Sequence, residues 1–162
     1  MIWNDSAWIC VFEAEGRATQ LHVRPNMAKQ ILIADDDATD AELLLRVLQK
    51  AGLTNPVATV TDGEETLAYL KGEGQFADRE KFPLPSVLFL DLKMPRLNGL
   101  EVLECLTSQS LLADLLIIVL SGHGNPGDVS RAYQLGAHTF VVKPMHAEEL
   151  GRLTKTFYKY WA

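Results

Sequence analysis

The sequence predicts an α/β fold built on a five-stranded parallel sheet, and three observations carry that prediction. Five short aliphatic runs recur from Lys29 onward, rich in Val, Ile, Leu and Phe and without polar alternation. Strands buried on both faces read this way. Amphipathic stretches fill the intervals, as crossover helices do between parallel strands. Glycines and helix-capping residues stand at the joins.

The first run, Gln30 to Ala34, ends in Asp35-Asp36-Asp37. Beyond it, Leu43, Leu44, Val47, Leu48 and Ala51 recur at spacings of three and four. This is the apolar stripe of a helix from Thr39 to Lys50, and Gly52 stands where a terminating glycine belongs. The second run is Pro56 to Val60. Asp62 then reads as a helix N-cap, with Glu65 three residues on as in a capping box, and the helix continues through Leu67 and Leu70.

Residues 71–85 break the rhythm. The stretch is rich in Gly, Pro and charge and longer than a helix-to-strand link requires, so it reads as an exposed insertion. Its Gly72-Glu73-Gly74 follows a helix rather than a strand, which argues against a phosphate-binding loop. The third run, Ser86 to Leu90, leads into Asp91-Leu92-Lys93-Met94-Pro95, and a helix is expected from Gly99 to Gln109. The fourth run, Leu116 to Leu120, ends in Ser121-Gly122. A helix from Gly127 to Leu135 follows and is closed by Gly136. The fifth run, Thr139 to Val142, ends in Lys143-Pro144, and a last helix is expected from Ala147 to Tyr160.

Residues 1–28 precede this pattern as an N-terminal extension to a domain of residues 29–162. Two readings of the extension stand side by side. Ala7 to Ala14 and Ala18 to Val23 flank Glu15-Gly16-Arg17 as a weak hairpin. Alternatively, translation begins at Met27, directly before Ala28-Lys29-Gln30, and the leading segment is a disordered arm or no part of the native product.

Composition narrows the function classes. A chain of 162 residues, 48% hydrophobic and 22% charged, has the size of one domain with a full core. Its 21 Asp and Glu against 15 Lys and Arg give a net charge of −6, with the basic residues scattered. That disfavours nucleic acid and anionic membranes as partners. The N-terminus lacks the order of a secretory signal, and the apolar run 115–120 is too short to span a bilayer, so a cytoplasmic location is expected. Cys10 and Cys105 then read as free, buried thiols. Asn4-Asp5-Ser6 matches a glycosylation acceptor only by chance.

The chemistry is expected where parallel strands end, because the functional crevice of an open α/β sheet lies at its carboxyl ends. Asp35, Asp36 and Asp37, then Asp91, Ser121 and Lys143 occupy those ends. Crowded carboxylates repel unless a cation compensates, and hard oxygen ligands suit Mg²⁺ or Mn²⁺. Phosphoryl transfer needs a nucleophile and positive charge near the equatorial oxygens, which such an ion and Lys143 can supply together. Ser121 adds a hydroxyl donor. Asp37 also reads as a simple helix cap.

The motifs Ile31-Leu32-Ile33-Ala34-Asp35-Asp36-Asp37, Leu90-Asp91-Leu92-Lys93-Met94-Pro95 with Gly99, Val119-Leu120-Ser121-Gly122 and Phe140-Val141-Val142-Lys143-Pro144 together resemble the receiver domain of two-component response regulators. The resemblance runs from Lys29 to about Tyr158. It implies a doubly wound, flavodoxin-like sheet of strand order 2-1-3-4-5 with five helices. It implies Asp91 as phosphoacceptor, Asp36 as a direct metal ligand, Asp35 as a ligand through water and Lys93 as a ligand through its backbone carbonyl. Ser121 and Lys143 would contact the phosphoryl group, and Phe140 stands at the family's switch aromatic, where a plain core Phe is the alternative. His123 and the Lys93 side chain stand where the family tunes water access to the acyl phosphate.

The resemblance further implies a histidine kinase or histidine phosphotransfer protein as phosphodonor and a downstream protein partner. It implies no enzymatic activity beyond self-phosphorylation from phosphohistidine and autodephosphorylation. After Lys143 the chain has room only for the last helix, so a stand-alone regulator is expected. The insertion and the aromatic tail 157–161 resemble receivers partnered with bacterial phytochrome-type kinases. The tail aromatics fit either a cover for the core or a homodimer contact. A receiver-fold binding module that is never phosphorylated is an alternative, although none of the acidic pair, Asp91 or Lys143 is lost. An aspartate-based phosphohydrolase is another, but it wants an acid two residues after its nucleophile, where Lys93 stands.

Overall fold

A computed structural model of the chain describes residues 9–12, 18–21, 29–111 and 113–162. β1 (Ile9–Phe12) and β2 (Ala18–Leu21) pair antiparallel, with Ile9 opposite Leu21, inside the two segments expected to form a hairpin. The alternative start at Met27 and the rest of residues 1–28 lie outside the described residues, as does the side chain of Cys10. Cys105 is a free thiol, half-buried at the margin of the core rather than fully buried as expected. Among the described residues no helix is long and apolar enough to cross a membrane.

β3 (Gln30–Ala34), β4 (Val57–Val60), β5 (Pro85–Asp91), β6 (Leu116–Ser121) and β7 (Thr139–Val142) form one parallel sheet in the order β4-β3-β5-β6-β7. Counted within that sheet, this is the expected order 2-1-3-4-5. The crossovers are α1 (Ala38–Lys50), α2 (Gly63–Lys71), α3 (Gly99–Ser108) and α4 (Pro126–Gln134), and α5 (Ala147–Thr156) follows the last strand.

Alternate strand residues face opposite layers. Ile31, Ile33, Phe89 and Ile118 pack under α1 and α5 with Leu44, Leu48 and Leu150. Leu32, Leu88, Leu90 and Val119 pack under the other helices with Leu67, Val102, Leu106 and Ala132. The three inner strands are buried on both faces, as their apolar runs predict. β4 and β7 depart from that expectation, each leaving a residue exposed, and Val142 keeps 48% of its surface. The reason is position, since the helices pack across the middle of the sheet and these two strands are its edges.

Caps place the helix starts. Asp37 accepts the N–H groups of Thr39 and Asp40 at the head of α1. Asp62 accepts the Glu65 N–H, but the Glu65 carboxylate turns to the Thr61 N–H, so only half of the expected capping box forms there. The full box lies at Asn98 and Glu101 on α3. Asn125 caps α4, with Pro126 as its first residue.

Two segments depart from expectation through their aromatic residues. The last helix ends at Thr156 rather than Tyr160, because Phe157 leaves helical geometry and a 3₁₀ turn over Tyr158–Tyr160 swings the tail beneath the sheet. Trp161 is buried there, its ring 6.1 Å from that of Phe89. The Asn55 amide donates to the Trp161 carbonyl at 3.0 Å and the Ser86 hydroxyl to the Tyr160 carbonyl at 2.7 Å. Of the two readings of the tail, Trp161 takes the core and Tyr158 remains exposed.

Residues 71–85 are mostly exposed, as expected, yet they fold back onto α2. Phe76 is buried between Tyr69 and Phe82. The Arg79 guanidinium donates to the carbonyls of Tyr69, Leu70 and Phe82. It thereby satisfies oxygens that a helix C-terminus leaves unpaired.

Candidate functional site

Five of the expected site residues converge at the carboxyl end of the sheet. Asp35 and Asp36 follow β3, Asp91 is the last residue of β5, Ser121 the last of β6, and Lys143 the first after β7. Strand register brings them level: Asp91 lies opposite Leu120, and Ser121 opposite Val142. The Lys143 N–H donates to the Ser121 carbonyl at 2.7 Å, which fixes where the lysine leaves the sheet. The Lys143–Pro144 peptide bond is cis.

The three consecutive acids take different directions. Asp35 is buried, and one of its oxygens accepts the Asp37 N–H at 2.9 Å. Asp36 is exposed, and Asp37 turns away to cap α1. Asp35, Asp36 and Asp91 each offer a carboxylate oxygen, all within 4.8 Å of one another. Among the described residues this is the one cluster of three or more acids, histidines or cysteines so arranged. His123 is no part of it.

Lys143 supplies the cation. Its Nζ lies 2.8 Å from Asp35 Oδ2, 3.0 Å from Asp40 Oδ2 and 3.5 Å from Asp91 Oδ1. Burial works against its ammonium, but the hydrogen bonds to Asp35 and Asp40 and the charges of Asp91 and Asp35 outweigh it and raise its pKa above the ordinary lysine value. Asp91 is raised as well, but for a carboxyl group a raised pKa disfavours the charged form. Burial, assisted by the charge of Asp35, raises its pKa to about 6 against the opposing pull of Lys143 and the Lys93 N–H. One ammonium faces three carboxylates, which leaves the negative charge incompletely compensated. That shortfall, with three convergent hard oxygens, fits a divalent cation.

Lys93 donates its N–H to Asp91 Oδ1 at 3.4 Å, and its side chain is exposed. Ser121 is buried, and its Oγ accepts the His123 N–H at 3.3 Å. An open cleft of about 820 Å³ gives access from outside, lined by Asp36, Lys93, Asn98, Ser121 and His123 among others. Phe140 lies apart, half-buried on β7 against the core beneath α2, α3 and α4. Its N–H donates to the Tyr133 hydroxyl on α4 at 3.1 Å.

Two participants escaped the sequence reading. Asp40 contacts Lys143, and the available signal was its position three residues after the Asp37 cap, in the first turn facing the strand end. Tyr133 is tied to Phe140 by a contact that no local pattern announces.

Residues 31–155 match the response regulator receiver domain. The bacteriophytochrome response regulator RtBRR is 38% identical, with a TM-score of 0.73 over 84% of this chain and 81% of its own. The bacteriophytochrome response regulator AtBRR is 33% identical, with a TM-score of 0.73 over 85% of this chain and 97% of its own. Response regulator Rcp1 of Synechocystis is 26% identical over 84% of this chain and 90% of its own length. A solved form of Rcp1 is Mn²⁺-bound and matches with a TM-score of 0.66, over 82% of this chain and 94% of that one.

Proposed function

The chain belongs to the response regulator receiver domain family, and on that premise we propose that Asp91 accepts a phosphoryl group from a phosphohistidine in a Mg²⁺- or Mn²⁺-dependent reaction. The supporting observation is the setting of Asp91, a buried carboxylate beside an ammonium and two further acids. An Asp91 oxygen attacks phosphorus, an O–P bond forms as the N–P bond breaks, and the donor imidazole keeps the electron pair.

Asp35, Asp36 and Asp91, with the Lys93 carbonyl, would hold the ion. When bound it supplies positive charge for the developing phosphoryl oxygens. Lys143 draws on the same charge from the α1 side, and Ser121 donates its hydroxyl to a phosphoryl oxygen. Signalling then proceeds through Ser121, the loop of residues 122–127 and Phe140, which shift the α4–β7–α5 face between two populations and change what protein binds there. Self-phosphorylation and autodephosphorylation are the only chemistry in this reading.

The receiver unit spans residues 29–162, with residues 71–85 as an insertion leading into β5 and residues 1–28 as an extension. The phosphodonor is a histidine kinase or phosphotransfer protein in the cytoplasm. A phytochrome-type kinase is favoured by the likeness to two bacteriophytochrome response regulators. The test is incubation with acetyl phosphate and Mg²⁺, followed by intact mass. One phosphoryl adduct is expected on the original chain and none on Asp91→Asn. An adduct undiminished by the substitution, or none on either, refutes the assignment.

A further inference from the structure

Lys143 is held by three carboxylates, and one of them has no part in the function proposed above. Asp40 Oδ2 accepts from Nζ at 3.0 Å, almost as close as Asp35 at 2.8 Å, while Asp91 lies at 3.5 Å. Asp40 stands in the first turn of α1, where Asp37 accepts its backbone N–H. An ammonium has three N–H donors, and the two closest contacts take two of them on the β3–α1 side.

The two anchors differ in what else competes for them. Asp35 belongs to the acidic cluster that would draw in a divalent ion, whereas Asp40 lies outside that cluster. A phosphoryl group on Asp91 adds negative charge and strong acceptors next to Nζ. Nζ now lies closer to Asp35 and Asp40 than to Asp91, so a phosphoryl group on Asp91 draws it away from the α1 side. Asp40 is the partner that remains when Asp35 turns to the ion.

We propose that Asp40 is a positioning residue for Lys143, holding the ammonium on the α1 side of the resting site and competing with the phosphoryl group for it. The inference rests on the reading of Asp91 as phosphoacceptor. Neutralising Asp40 both weakens its hold on Nζ and removes a negative charge facing the incoming anion. Each effect favours the phosphoryl-bearing state.

The test uses the full chain, with Asp40→Asn and Asp40→Glu. Beryllofluoride, a tetrahedral phosphoryl mimic on carboxylates, is titrated at saturating Mg²⁺, with the Lys143 ¹³Cε resonance as a second readout. Asp40→Asn is expected to bind beryllofluoride roughly two- to fivefold more tightly, the range of one partly exposed ion pair. Its Lys143 resonance should be displaced at rest and move less on binding, and Asp40→Glu should restore the original behaviour. A merely structural role would lower the melting temperature and leave both readouts unchanged. Equal or weaker binding by Asp40→Asn overturns the proposal. If the unsubstituted chain binds no beryllofluoride, the phosphoacceptor reading fails and this inference fails with it.

Discussion

Gly99 lies against the backbone of Asp91. A Cβ placed on Gly99 would stand 2.4 Å from the Asp91 carbonyl oxygen and 2.8 Å from the Leu92 Cα, and the Gly99 N–H donates to the Leu92 carbonyl at 2.9 Å. The first residue of α3 thus touches the strand end that carries the central carboxylate, and only hydrogen fits between them.

Gly99→Ala should therefore destabilise the fold although it sits in a helix. Helix propensity alone would favour Ala by about 1 kcal/mol. The obstructing atoms are backbone and cannot swing aside, so overpacking outweighs propensity and the net loss is about 1–3 kcal/mol. Labelling by acetyl phosphate should fall as well, because the displaced backbone carries Asp91. Urea unfolding and intact mass check both, and a variant as stable and as reactive as the original would contradict the close approach.

Asp91 makes the metal-free protein less stable as pH rises from about 4 to about 6. Its pKa is about 6 in the fold against the usual 3.8. The folded state therefore binds more protons than the unfolded chain between those values. The stability this proton carries is full below 3.8 and lost as pH rises through 6. The advantage of Asp91→Asn over the original should grow between pH 4 and 7 by roughly 1–2 kcal/mol, allowing for solvent screening. Saturating Mg²⁺ should then raise the melting temperature of the original at pH 7.5 far more than that of Asp91→Asn.

His138 gives the opposite slope. Its Nδ1 accepts the Ile117 N–H at 3.1 Å, a bond that requires the neutral ring. Burial, assisted by the charge of Lys159, lowers its pKa below 6.5. The unfolded chain thus binds more protons just below pH 6.5. Stability from His138 is complete above 6.5 and lost as pH falls through the lowered value. Imidazole titration by NMR should show the depression, and His138→Asn should flatten this part of the profile. A histidine titrating at or above 6.5 would refute it.

Trp161→Ala should cost about 3 kcal/mol, since the ring is buried on Phe89 and the tail backbone is held by Asn55 and by Ser86 near the start of β5. Mg²⁺ affinity should be unchanged, because the acidic cluster lies at the carboxyl end. Calorimetric metal titration beside thermal unfolding separates the two, and a stable variant would show that the tail does not seal the core.

The strands and helices were legible because their signals are local. Apolar runs, the stripe from Leu43 to Leu48 and the glycines at 52 and 136 act within a few residues of where they stand. Capping was legible only in part. Asp62 and Glu65 have the spacing of a capping box, but Glu65 found the Thr61 N–H instead, while Asn98 and Glu101 completed a box that the helical pattern overlooked. Alternative partners within one turn differ by little energy, so spacing alone does not choose among them.

The chain's own order of residues was enough to place acids, a serine and a lysine at four strand ends, because β-strand and helix periods are written locally. It left open which acids would meet. Asp35, Asp36 and Asp37 are adjacent in sequence, yet one is buried on Lys143, one is exposed and one caps a helix. Asp40 reaches a lysine 103 positions away. Such pairings depend on strand order, register and the direction in which α1 leaves β3, and these are fixed when the two helical layers close over the sheet.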